Sequence, residues 1–200
     1  MDLPTKKERK VITFVNRKGG VSKTTSCAYT AMCLYEAGQS VTGIDTDPDK
    51  SWLKWYEAGV LPYQVVEGDK QKLSQQVKGI EDFVVIDTPP NDGEIIYKAA
   101  SVADEVIVPL AATALDINRL ATTLNAVADV EEMRGKPLAS VLLTKWQENL
   151  VISREVQEAL SEQEAPLLDA RIRSLTRYQG FNTPNYLREY DKVLEELEVL

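Results

Sequence analysis

The stretch that decides the fold is FVNRKGGVSKTTS, residues 14–26, in which a Gly-Gly pair precedes a lysine and two threonines. A strand that runs through a glycine-rich turn into a helix places backbone N–H groups around an anion. The strict phosphate-loop pattern, G-x-x-x-x-G-K-[ST], requires glycine where this chain has Arg17 and Ser22. Lys23 and Thr24 nonetheless occupy the positions that reach terminal phosphates and Mg²⁺. The stretch predicts a specialised phosphate-binding loop; the alternative is a glycine turn flanked by solvated lysines.

The composition is that of a globular domain. The 200 residues are 44% hydrophobic and 27% charged, which fits one domain over residues 1–200 with a basic tail at residues 1–9. The sequence has no apolar run of the ~20 residues that a membrane span needs. The polar N-terminus is not followed by the apolar h-region of a signal peptide, so we expect no secretory signal and a cytoplasmic protein.

Missing residue types narrow the chemistry. The chain contains no histidine, which excludes imidazole acid–base catalysis and histidine-ligated metals. Carboxylates, lysines, hydroxyls, backbone amides and a hard cation remain. Cys27 and Cys33 lie in an apolar segment, and we expect both to be buried and reduced. A net charge of −8 argues against nucleic-acid binding over the whole surface but leaves room for a local basic patch.

Apolar runs and helical segments alternate along the chain. Strands are predicted at 10–16, 40–45, 63–68, 82–87, 105–110 and 137–144, and helices at 24–38, 51–59, 69–78, 94–101, 116–134, 152–163 and 184–199. Most of the strands lack hydrophobic/polar alternation, which is typical of a parallel sheet covered on both faces. The sequence therefore predicts an α/β fold, a doubly wound and mostly parallel sheet with helices on both faces.

Two acidic segments follow predicted strands. FVVID ends in Asp87, and GIDTDPD carries Asp45, Asp47 and Asp49. Ligands of such sheets bind at the carboxyl ends of the strands, so these carboxylates should meet the glycine-rich loop. Asp87 suits a metal-organising acid, and a carboxylate in the other segment suits orientation of a hydrolytic water. The simpler alternative is that these residues form turns and caps.

Four segments occur in an order that resembles the ParA/MinD group of P-loop ATPases with a deviant Walker-A loop. They are KGGVSKTT from Lys18, DTDP from Asp45, VVIDTPP around Asp87, and ADEVIVPLAATALDI at 103–117. The resemblance runs from about residue 10 to residue 145. It implies a P-loop NTPase fold and a Mg²⁺-dependent ATPase that is slow without a partner.

The resemblance also implies roles. Lys18 would act in trans on the phosphates of the other subunit in an ATP-sandwich homodimer, as an arginine finger does. Asp47 would orient the attacking water, and Asp87 would be the Walker-B acid. The implied nucleotide contacts are Lys18, Gly19, Gly20, Val21, Ser22, Lys23, Thr24, Thr25, Asp45, Thr144 and Lys145. The implied metal site comprises Thr24, Asp47 and Asp87.

Two positions depart from the family pattern. Ser22 replaces the glycine that precedes the P-loop lysine, where a side chain would crowd the phosphates, require an unusual backbone angle, or donate a hydrogen bond to phosphate. Asp49 stands where the family usually has glutamine and adds a negative charge near the metal. We expect nucleotide binding to survive both changes.

The tail of the chain distinguishes branches of the family. REYDKVLEELEVL is acidic, so anionic lipid would repel it, and Leu187, Tyr190, Leu194 and Leu197 have the spacing of a helix that packs on its own domain. No membrane partner is predicted. The short ParA type, without an N-terminal helix-turn-helix domain, is the branch that this pattern favours.

The short ParA type implies ATP-dependent, non-specific DNA binding, with nucleoid association in the ATP state and hydrolysis stimulated by a ParB-like adaptor. Arg171, Arg173 and Arg177 form the candidate DNA patch; the alternatives are a solvated loop and salt-bridge partners of the acidic tail. The implied process is partition of a plasmid or chromosome, or positioning of another cargo. The competing function is a nucleotide-dependent scaffold that acts on a protein without DNA.

Overall fold

The computed structural model describes residues 8–112, 117–175 and 188–200, with side chains omitted at 117–119. Its strands are β1 (Val11–Phe14), β2 (Val41–Asp45), β3 (Gln64–Glu67), β4 (Phe83–Asp87), β5 (Glu105–Ala111), β6 (Leu138–Trp146) and β7 (Leu167–Arg173). Its helices are α1 (Lys23–Glu36), α2 (Ser51–Glu57), α3 (Leu73–Lys78), α4 (Gly93–Ala100), α5 (Ile117–Arg134), α6 (Val151–Glu162) and α7 (Glu189–Glu196).

The strands form one sheet in the order β3-β2-β4-β1-β5-β6-β7. Every adjacent pair is parallel. The order reverses beside β1, because the chain first builds outward to β3 and later returns on the other side through β5. A parallel doubly wound sheet binds ligands at such a reversal. Phe14, Asp45 and Asp87 lie level with one another across β1, β2 and β4.

Helices cover both faces of the sheet, which confirms the predicted fold class. One face packs against α1, α2 and α7 through a core that includes Phe14, Leu34, Trp52 and Tyr190. The other face packs against α3, α4, α5 and α6 in two adjoining clusters. Successive residues of β1 enter opposite layers, since Ile12 and Phe14 join the first core while Val11 joins the second. Burial on both sides explains the continuous apolar runs.

The strand β7 was not predicted. Its buried residues Leu168, Ala170 and Ile172 alternate with charged residues, the pattern of an edge strand with one buried face. Arg171 and Arg173 lie in this strand, so the alternative of a solvated basic loop does not hold for these two residues.

The two cysteines and the last helix match their predictions. Cys27 and Cys33 are buried and unbonded to each other. Tyr190 and Leu194 of α7 are fully buried against the domain, as the spacing predicted, whereas Leu187 lies outside the described residues. Within those residues, no helix has both the length and the apolar character needed to cross a membrane.

Candidate functional site

The glycine-rich loop joins β1 to α1 and is held from behind by two polar side chains. Asn16 accepts a hydrogen bond from the Lys18 N–H at 2.8 Å and donates its amide to the carbonyl of Pro109 at 2.8 Å. The Thr144 hydroxyl donates to the carbonyl of Val21 at 3.2 Å. The loop is therefore fixed before any ligand arrives. Asn16 was missed in the sequence; its position directly after a buried strand was the available signal.

Two loop residues have left-handed backbone conformations. Gly20 has φ 72°, which glycine adopts without a steric cost. Ser22 has φ 67° and ψ 29° and forms the N-cap of α1, yet its side chain makes no capping hydrogen bond. The backbone thus retains the geometry of the family's glycine even though the residue is serine.

Lys23 is nine-tenths buried at the first position of α1. Its Nζ donates to the carbonyl of Lys18 at 3.3 Å. Burial lowers the pKa of Lys23, and the nearby carboxylate of Asp87 opposes that change. An anion bound beside Lys23 would raise this pKa again, because an anion stabilises the ammonium form.

Asp87 ends β4 at the bottom of the site and is completely buried. Neither carboxylate oxygen accepts a hydrogen bond of ordinary geometry from the described residues. Burial raises the pKa of Asp87 to about 7, while the Thr24 hydroxyl and the Lys23 ammonium partly offset the change. A buried carboxylate without a hydrogen-bond donor is costly. Its oxygens fit a hard cation, held directly or through a water.

Asp45 has a structural role besides the one implied by the family. Its Oδ2 accepts the N–H groups of Trp52 and Leu53 at 3.0 Å each, and its Oδ1 accepts the N–H of Asp47 at 3.1 Å. Burial raises the pKa of Asp45, and these backbone donors oppose the shift. With three donors on a side chain only 1% exposed, the carboxylate is occupied. Asp45 anchors α2 and the Asp47 loop, and its direct contact with nucleotide stays a prediction.

A cleft of about 310 Å³ opens beside the loop. Its lining combines the loop, the acidic segment and the turn after Asp87: Gly19, Gly20, Ser22, Lys23, Thr24, Thr25, Asp47, Asp49, Ser51 and Pro90. Asp47 is half-buried there, and one of its oxygens accepts the Asp49 N–H at 2.9 Å. The topology therefore gathers most of the predicted residues. Ser51 and Pro90 were missed: Ser51 follows the DTDP segment, and Pro90 ends VVIDTPP, where only Asp87 was given a role.

A second cleft, also about 310 Å³, lies on the other side of the loop. It shares Gly20, Ser22 and Thr25 with the first and adds Lys145, Ile172, Arg173, Ser174, Leu175 and Tyr190. The two clefts therefore adjoin the same part of the loop. Lys145 lines the second cleft, as its implied role requires, whereas Thr144 lies behind the loop and is buried.

Two of the three arginines of the candidate DNA patch contact other residues of the domain. Arg171 lies 4.9 Å from the ring centroid of Trp146, and its buried Nε has no hydrogen-bond acceptor among the described residues. Arg173 forms an ion pair with Glu189 at the start of α7. Arg177 lies outside the described residues. The alternative that these arginines pair with the acidic tail is thus observed for Arg173.

Comparisons with known proteins agree with this geometry. The chain is 27% identical to the maintenance of carboxysome distribution protein A of Gloeobacter kilaueensis, over 98% of this chain and 97% of the relative. It is 25% identical to the protein ParA of Rhizobium radiobacter, over 85% and 81%.

Solved structures show the same fold. An ATP complex of McdA from Cyanothece superimposes with a TM-score of 0.75 at 18% identity, covering 96% of this chain and 98% of the other. Cobyrinic acid a,c-diamide synthase from Mycobacterium smegmatis, with bound ADP and magnesium, gives 0.72 at 21% identity, covering 95% and 96%. The family profile described as the CobQ/CobB/MinD/ParA nucleotide binding domain matches residues 12–179. The chain belongs to this nucleotide-binding family.

Proposed function

We propose that this chain is a ParA-type, Mg²⁺-dependent ATPase that forms an ATP-sandwich homodimer and binds DNA non-specifically in its ATP state. Hydrolysis, stimulated by a ParB-like adaptor, releases the dimer from DNA and thereby moves or positions a cargo. The names of relatives support this class: one is a ParA protein, another a chromosome-partitioning ATPase Soj of Treponema pallidum. The carboxysome-distribution relative extends the class of cargo from DNA to protein assemblies.

The observation that carries the proposal is the unpartnered carboxylate of Asp87 beneath the phosphate loop. Its two oxygens lack ordinary hydrogen-bond donors among the described side chains, and Lys23 is buried close enough to interact with it. Magnesium ATP would supply both missing charges, a cation for Asp87 and phosphates for Lys23. Relatives solved with ADP or an ATP analogue and magnesium make this the ligand of choice.

Each residue then has one task. Thr24 and Asp87 would hold Mg²⁺, which neutralises phosphate charge when bound. The loop N–H groups and Lys23 would hold the phosphates. Asp47 would accept a hydrogen bond from the attacking water and orient it, and Asp45 would fix Asp47 through the backbone hydrogen bond described above. Lys18, whose own backbone is fixed by Asn16, would stabilise charge on the phosphates of the partner subunit.

A scaffold or regulator without DNA binding is the second candidate. The engagement of Arg173 by Glu189 and of Arg171 by Trp146 favours it, because an ion-paired guanidinium gains less from a phosphate contact. The nucleotide chemistry would be unchanged in this case. Only the partner of the ATP-bound dimer would differ.

The test is binding to unrelated duplex DNA with ATP, with ADP and without nucleotide, across a salt series. Three arginines from each of two subunits would give a log–log salt slope of roughly −5, with the tightest binding in ATP. Weak binding that is equal in all three nucleotide states would remove the DNA function and favour the scaffold.

A further inference from the structure

We propose that Ser22 is a nucleotide-binding residue in its own right, whose hydroxyl donates a hydrogen bond to a phosphate oxygen. This inference rests on the proposed function, since it names a further contact in the same site. Serine is this chain's departure from the family's glycine, so the contact belongs to this protein rather than to the family pattern.

Ser22 lies where a nucleotide that occupies both clefts would contact the loop. Ser22 lines both the cleft beside Lys23 and the cleft beside Lys145. A ligand that spans the two clefts therefore passes this residue at the loop. Only Gly20 and Thr25 share that position, and Gly20 has no side chain to contribute.

The hydroxyl of Ser22 is available for a ligand. An N-cap serine usually accepts a hydrogen bond from the second or third N–H of its helix, but here the side chain makes no such bond. Only its carbonyl is used, accepting the Ser26 N–H at 2.8 Å. Among the described residues, none forms a hydrogen bond with the Ser22 hydroxyl. A half-buried hydroxyl without a partner in a phosphate-sized cleft is suited to a ligand oxygen.

The negative charges around the cleft favour a hydrogen-bond donor at Ser22. Asp47 and Asp49 line the same cleft, and Asp49 adds a carboxylate where the family usually has a neutral glutamine. An approaching phosphate meets this extra negative charge. A hydroxyl donor at Ser22 offsets part of that repulsion, because hydrogen bonds to charged acceptors are stronger than neutral ones.

Backbone strain at Ser22 changes the free energy of folding, whereas the hydroxyl contact changes the affinity for nucleotide. Serine in the left-handed region costs more than glycine, and Ser22 has φ 67° in the folded chain. The strain is a cost of folding. The hydroxyl contributes only when nucleotide is present. Stability and affinity should consequently respond to different substitutions.

The experiment compares Ser22→Ala with Ser22→Gly, using Mg·ATP affinity by isothermal titration and Tm without nucleotide. Both variants lose the hydroxyl, and we expect each to bind Mg·ATP about tenfold more weakly than the wild type. Only glycine relieves the backbone, so Ser22→Gly should melt about 2 °C above Ser22→Ala. Glu164→Gly is the matched control, because exposed Glu164 has φ 53° far from both clefts; its Tm should rise similarly with unchanged affinity.

Three outcomes would overturn the inference. If wild type and both variants bind Mg·ATP equally, the hydroxyl makes no contact, and the proposed function stands. If only Ser22→Gly changes affinity, the backbone and not the hydroxyl sets binding. If the wild type binds no Mg·ATP at all, the proposed function fails together with this inference.

Discussion

Charged residues lie at two places in the sheet: at the carboxyl ends of the central strands, around Asp87, and along the outer strand β7. The two groups differ in the partners that the protein itself provides. At the first place, the buried carboxylate of Asp87 accepts no hydrogen bond of ordinary geometry from the described residues. Along β7, Arg173 has a carboxylate partner, and Arg171 lies over an aromatic ring although its buried Nε lacks a hydrogen-bond acceptor among the described residues. A buried carboxylate without an ordinary hydrogen bond favours a bound cation. An arginine that already has a carboxylate partner, as Arg173 does, gives weaker support for binding phosphate.

The largest effect should come from Lys18→Ala. If Lys18 acts across the dimer, its loss should lower ATP turnover about 10³-fold at protein concentrations that favour dimers, as for other trans-acting cations in phosphoryl transfer. Phosphate release measures the rate, and exposed Lys192→Ala on α7 is the control. Turnover of Lys18→Ala equal to that of the wild type would exclude the trans role.

Asp87→Asn should lower Mg²⁺-dependent turnover by about 10²-fold, since the variant loses a charge that organises the metal. It should also change the pH dependence of stability. Burial raises the pKa of Asp87 from 3.8 to about 7, so the folded chain retains a proton that the unfolded chain has lost. The stability from this group is fully present below about pH 4 and is lost as the pH rises to about 7.

Melting curves at pH 5 and pH 8 without nucleotide measure that second effect. The wild type should lose more Tm between the two values than Asp87→Asn, whose side chain does not titrate. Asp129→Asn, at an exposed position of α5, should behave as the wild type. An equal pH response in wild type and Asp87→Asn would contradict the assignment of the proton to Asp87.

Asp45→Asn should affect stability more than nucleotide affinity, because Asp45 accepts three backbone N–H groups and lines neither cleft. Asparagine has only one acceptor oxygen, so it cannot accept hydrogen bonds at both positions, and its NH2 group would face a backbone N–H. We expect a loss of about 1–3 kcal/mol in the free energy of unfolding, measured by urea denaturation, with ATP affinity within about threefold of the wild type. A large loss of affinity with unchanged stability would show that Asp45 contacts the nucleotide directly.

The smallest effect concerns β7. Since Glu189 pairs with Arg173, Glu189→Gln should release the guanidinium and raise DNA affinity about two- to threefold at low salt, while Arg173→Ala should lower it by no more than that. Fluorescence anisotropy with a duplex measures both. Loss of all DNA binding in Arg173→Ala would show that the ion pair with Glu189 does not reduce the contribution of Arg173 to DNA binding.

The sequence predicted the sheet and most of the site because continuous apolar runs and ordered motifs are local signals. Because β1, β2 and β4 are parallel, their carboxyl ends lie on the same side of the sheet, and the three predicted segments meet there. The roles of Asp45 and Thr144 were not predictable, since a motif does not reveal which atoms its carboxylate or hydroxyl contacts. Strand β7 was missed because its charges obscured an alternation that was present. Asn16 and Pro90 lie within the quoted segments and Ser51 lies just after one, but their contacts with the site became visible only in the fold.

The central claim is that two subunits complete the nucleotide site. The mass of the Asp47→Ala variant in solution tests this claim most directly. This substitution should prevent hydrolysis while retaining ATP, because Asp47 orients the water and Lys23 and Thr24 are unchanged. Sedimentation with Mg·ATP should give twice the mass of one chain, and sedimentation with ADP should give one chain. A single-chain mass with ATP bound would contradict the account.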